Sequence, residues 1–99
     1  MTLGTTVYEA ALACGWLPKP IEPSMCLAGK MIELSENDRA LFTAADLRAE
    51  SKLAAIVATT RFRKSTRKQQ AAVLKGRFQS ERDKTKAALR LKYSAPVKV

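Results

Sequence analysis

The sequence predicts an all-α protein: a small helical chain with an irregular Pro-rich segment and a long or broken basic helix toward its C-terminus. Three observations point there. Capping residues stand just ahead of stretches whose apolar side chains recur every three or four positions. Three of the four prolines crowd between residues 18 and 23. The lysines and arginines gather after residue 60, in a stretch with helical spacing. At 99 residues the chain suits one domain. Residues 1–60 form its helical core region, with a Pro-rich loop at 16–29, and residues 61–99 its strongly basic helical region.

Thr6 with Glu9 fits a capping box that opens a short first helix, and Gly15 is a natural left-handed terminator. Residues 16–29, WLPKPIEPSMCLAG, cannot continue it, because Pro18, Pro20 and Pro23 each remove a donor and hold the preceding residue extended. The segment also carries Trp16, Leu17, Ile21, Met25 and Leu27, too apolar for a solvated linker. It reads as a cap on the core, with a docking strip formed by Trp16, Pro18, Pro20, Ile21 and Pro23 as the alternative. Met31 to Leu34 is a short extended approach. Ser35 caps Glu36 to Phe42, and Thr43 with Asp46 caps again, so Ala44 to Thr60 is the main helix. Phe42, Ala45, Ala49, Leu53, Ile56 and Thr60 mark its inner face. Thr66 with Gln69 opens the last helix, from Arg67 toward Tyr93. Gly76 and Ser80 weaken its middle, and Ser80 with Asp83 offers a restart. Ser94-Ala95-Pro96 ends it.

Charge divides the chain. Residues 1–60 hold five Lys/Arg and seven Asp/Glu, a net −2; residues 61–99 hold thirteen and two, a net +11, together +9. Apolar residues run the other way: without alanine there are 21 in the first part and nine in the second. The basic part therefore depends on the front, or on a partner, for its order. In a helix over 67–93, Ala71, Leu74, Phe78, Thr85 and Leu89 share one narrow stripe. Lys68, Lys75, Arg82, Lys86 and Arg90 share the next, a basic rail about 30 Å long at 1.5 Å per residue. Arg61, Arg63 and Lys64 extend it at its N-terminal end, where Phe62 and Arg67 are further candidates for contact with a partner. A lysine-rich face is often merely solvated. Eleven net charges in 39 residues exceed that need and repel one another. The rail is therefore read as a surface for phosphates or for a carboxylate-rich protein groove.

Several classes are excluded or weakened. There is no histidine, so imidazole catalysis and His ligation are out. Cys14 and Cys26 without histidine make a poor metal site and read as reduced, partly buried thiols, with a disulfide across the Pro-rich loop as the alternative. No glycine-rich phosphate loop and no nucleophile–base pair is present, so no catalytic residue, cofactor or metal is expected. No apolar run reaches membrane-spanning length and no basic, apolar leader opens the chain, so a cytoplasmic protein without a membrane partner is expected. A helix-turn-helix begun at Glu9 and Gly15 is blocked by the prolines that follow, and Phe62 and Phe78 are too few for a single-strand stacking platform. Non-specific DNA binding stays open, as does a role as an assembly subunit. X-Pro bonds can populate cis while disordered, which adds a prolyl isomerase to the expected partners.

The opening MTLGTTVYEAALACGWLPKPIEP, the length and the basic stretch RFRKSTRKQQAAVLKGRFQ resemble the phage-encoded anti-RecBCD proteins of Salmonella lambdoid phages. The resemblance covers nearly the whole chain and rests on no diagnostic motif, so it transfers no site residue. It implies a non-enzymatic modulator that binds the host RecBCD helicase–nuclease through RecC and alters its exonuclease or recombination activity so that phage DNA ends survive. Positive charge would then raise the on-rate toward acidic protein or nearby DNA. Anchors such as Trp16, Phe62 or Phe78 would set the lifetime of the complex.

Overall fold

A computed structural model describes residues 7–94. The elements run α1 (Val7–Cys14), β1 (Ser24–Leu27), β2 (Lys30–Glu33), α2 (Glu36–Val57), α3 (Thr60–Lys64) and α4 (Arg67–Ser94). The chain is mostly helical, as the all-α expectation has it, with one small two-stranded antiparallel sheet that the expectation lacks. Four residues of the expected Pro-rich loop form a strand, Ser24–Leu27, that pairs antiparallel with Lys30–Glu33 in the register Leu27↔Lys30 and Met25↔Ile32. Ala28 and Gly29 turn the corner with φ of 51° and 78°. Two residues at positive φ match the right-handed twist of the strands they join. Residues 16–22 have no regular secondary structure. No peptide bond among the described residues is cis.

α1 ends as its glycine predicts. Gly15 takes φ 80°, its N–H donates to the Leu12 carbonyl at 3.2 Å, and the Trp16 N–H donates to the Ala11 carbonyl at 3.0 Å. This paired closure satisfies two terminal carbonyls. The cap expected at Thr6 and the stop at Ala95 and Pro96 lie outside the described residues.

α2 is one helix of 22 residues. Ser35 caps it with its side chain accepting from the Asp38 N–H, while the Asp38 carboxylate accepts from the Ser35 N–H. The second start expected at Thr43 does not occur. The Thr43 hydroxyl donates back to the Arg39 carbonyl at 3.3 Å, and the buried face runs through it from Phe42 to Ala45, Ala49, Leu53 and Val57. Val57 replaces the expected Thr60, because the helix stops there and Thr59 caps α3 by accepting from the Phe62 N–H. α4 runs unbroken for 28 residues past Gly76 and Ser80, from a capping pair in which Thr66 and Gln69 exchange hydrogen bonds at 3.0 and 3.1 Å. Tertiary packing outweighs the propensity cost of about 1 kcal/mol for one glycine.

α2 and α4 lie antiparallel, as the pairing of Asp38 with Lys92 and of Lys52 with Glu81 requires. Alanines 45 and 49 are fully buried, so small side chains line the face where the two helices meet. Two apolar clusters fill the ends. Toward the start of α4, Val7, Ala10, Ala11 and Cys14 pack with Leu53, Val57, Phe62, Leu74 and Phe78. Toward its end, Leu27, Leu34, Phe42 and Leu89 pack with Ile21, Met25, Ile32 and Tyr93. Each fully buried leucine contributes about 1.5–3 kcal/mol. A polar belt lies between the clusters. Glu81, only 2% exposed, accepts from Arg48 at 3.0 Å, Lys52 at 2.6 Å and Lys84 at 3.3 Å. The molecule measures 60 × 25 × 19 Å.

Candidate functional site

The irregular segment 16–22 crosses α4 and leaves a groove of about 360 Å³ beside it. Its floor is apolar: Trp16, Phe42 and Phe78, with Ile21 and Met25 alongside. Trp16 and Phe78 meet with ring centroids 5.7 Å apart, inclined at 47°. Its rim is polar, with Lys75, Lys86 and Lys19 facing Glu22 and Asp83. The segment stays in place through Arg82. Its guanidinium donates twice to Asp46, Nε to Oδ1 at 2.8 Å and Nη2 to Oδ2 at 2.7 Å, and Nη2 also donates to the Lys19 carbonyl at 2.8 Å. The hydrogen bonds to the Asp46 carboxylate raise the pKa of Arg82 further, against the effect of burial. A two-point arginine–carboxylate pair fixes geometry as well as charge.

The sequence candidates fall into four groups. Trp16, Pro18, Pro20 and Ile21 line the groove together with Lys75, Arg82 and Lys86. The segment caps the core, and the half-buried Trp16 both packs there and lines the groove. Arg61, Arg63, Lys64, Arg67 and Lys68 are exposed at the α3–α4 junction, outside the groove. Arg67 lies over the end of α1, where its Nη2 would stand 3.3 Å from a Cβ on Gly15. Phe62 is buried at 6% exposure and belongs to the core beneath that junction. Arg90 is exposed about one turn beyond Lys86, and Pro23 is exposed with its carbonyl accepting from the Leu34 N–H at 2.8 Å.

Three of the basic helix's cations are held internally: Arg82 by Asp46, Lys84 by Glu81 and Lys92 by Asp38. Asp38, 1% exposed, also accepts the Tyr93 hydroxyl. The hydrogen bonds from Tyr93 and Lys92 bring its pKa down to about 2 despite burial. Lys52 and Arg48 do the same for Glu81, also to about 2. Among the described residues, Arg61, Arg63, Lys64, Arg67, Lys68, Lys75, Arg77, Lys86 and Arg90 have no carboxylate partner within ion-pair distance.

The groove's organiser, Asp46, was not among the sequence candidates. It pairs with a residue 36 positions away, which local spacing cannot reveal. Cys14 is buried and Cys26 exposed, and both are unpaired thiols rather than ends of a disulfide. No cluster of three or more Cys, Asp and Glu suited to a metal occurs among the described residues. None of their helices is long and apolar enough to cross a membrane. Comparison with family models, with curated proteins and with solved structures gives no match.

Proposed function

We propose that this chain is a non-enzymatic, phage-type modulator that binds the host RecBCD helicase–nuclease, through RecC, and alters its exonuclease or recombination activity. RecBCD itself enters only from the sequence resemblance. The observation that carries a protein-docking role is the groove, where an apolar floor of Trp16 and Phe78 lies inside a rim that includes the unpaired Lys75 and Lys86. The half-buried Trp16, backed by the buried Phe78, supplies the anchor that protein interfaces need, and a charged rim supplies orientation and rate. On this reading the protein works in the cytoplasm of the host cell.

The test is capture of purified RecBCD on the immobilised protein after nuclease treatment, paired with an assay of exonuclease activity on linear duplex. Retention with altered activity is expected. The K75E/K86E variant, with both changes outside the core, should lose retention by at least about tenfold, or about 1.4 kcal/mol. No retention of RecBCD by the natural protein would end this reading.

A further inference from the structure

From Ser51 to Ser80 the chain contains no aspartate or glutamate and eight lysines and arginines. The fold gathers seven of the eight at one end of the long α2–α4 pair: Arg61, Arg63 and Lys64 on α3, Arg67 and Lys68 in the first turn of α4, and Lys75 and Arg77 beyond. The eighth, Lys52, is bound to Glu81. All seven are exposed and none is paired with a carboxylate among the described residues.

We infer that this end of the molecule, centred on the α3–α4 junction and meeting the groove only at Lys75, is a binding surface for the phosphate backbone of duplex DNA. Two observations favour phosphate over an acidic protein. The cation-bearing stretch lacks an apolar anchor: Phe62 and Leu74 are buried, and Val73, at 37% exposure, is the single large apolar side chain of residues 58–80 that reaches solvent appreciably, the exposed Tyr8 and Leu12 belonging to α1. Protein interfaces concentrate their affinity in such anchors, whereas phosphate contacts need only cations on a surface. The cations also have the required reach. Lys68 and Lys75 share one flank of α4 about 10 Å apart along it, the span of about three phosphates of one DNA strand at about 3.4 Å each, and Arg61, Arg63 and Lys64 add cations at its N-terminal end. No aromatic ring of α3 or of the first turns of α4 is exposed to stack on an unpaired base, the exposed Tyr8 belonging to α1, which favours the double helix over a single strand.

The experiment is fluorescence anisotropy of a labelled duplex of arbitrary sequence, titrated with the full chain between about 50 and 200 mM salt. Binding without sequence preference is expected, with a log–log salt slope of about −4.5 for five phosphates. The R63E/K64E/K68E variant should keep its helical circular dichroism, bind at least about tenfold more weakly and flatten the slope to about −2. No binding by the natural protein at the lowest salt overturns the inference, and so does an unchanged slope in a folded variant. Poly-glutamate competing as well as duplex of equal charge overturns it in favour of an acidic protein, and tighter binding of a single strand overturns the duplex preference. RecBCD capture by the same variant, after nuclease treatment, tells a failure here from a failure of the groove.

Discussion

Ala28 holds φ 51° at the first corner of the hairpin, a conformation that an L-residue other than glycine, asparagine or aspartate adopts at a cost of about 1–2 kcal/mol. Leu27, fully buried directly before it, and the pairing of Leu27 with Lys30 hold the turn in place. Asparagine tolerates the same φ. Ala28→Asn should therefore stabilise the protein by about 1 kcal/mol and raise Tm by about 4 °C in a thermal melt. An unchanged or lower Tm would mean that the turn is not strained. The same residue explains why sequence reading misses the hairpin. Ala-Gly lacks the side chain that marks this turn type, and the alternation of its strands is hidden in the short apolar runs Met25–Ala28 and Met31–Ile32, in which Met31 is exposed and Leu27 buried.

At the scale of elements, α4 is the most legible. Its stripe of Leu74, Phe78, Thr85 and Leu89 is buried as the spacing demands, and Thr66 with Gln69 opens it. The gap in that stripe is filled by Glu81, which the pattern passes over because a carboxylate in an apolar row makes sense only when Arg48 and Lys52, 33 and 29 residues away, are in view. The groove was legible in its parts and not in its assembly, which depends on the equally distant Asp46–Arg82 pair. The two deeply buried carboxylates give the helix pair its pH response. Asp38 and Glu81 both titrate near about 2, below the ordinary 3.8 and 4.5. Their contribution is complete above about pH 4.5 and is lost as pH falls through their folded values near 2. Denaturant midpoints followed by circular dichroism should fall steadily across that window. Glu81→Gln, which cannot titrate, should start lower and show a shallower acid decline. An equally steep decline would remove Glu81 from the explanation.

For the molecule as a whole, the internal ion pairs and the unpaired cations respond oppositely to salt. The pairs of Asp38 and Glu81 have a buried partner and are screened little, whereas the exposed cations of α3 and α4 repel across open solvent. Raising ionic strength from about 0.01 M to 0.15 M shortens the screening length from about 30 Å to 8 Å. Repulsion should weaken more than pairing, and Tm should rise over that interval. A falling Tm would show the pairs to dominate. The placement of charge along the 60 Å length has a kinetic side too. The carboxylate-free junction of α3 and α4 concentrates unpaired positive charge at one extremity, while near the other, where the hairpin leads into α2, Glu33, Glu36 and Asp38 offset Lys30, Arg39, Arg90 and Lys92. Such a body carries a permanent electric dipole along its long axis. In the field of a polyanion it turns before it touches, so it arrives with α3 leading and fewer encounters are spent on unproductive orientations.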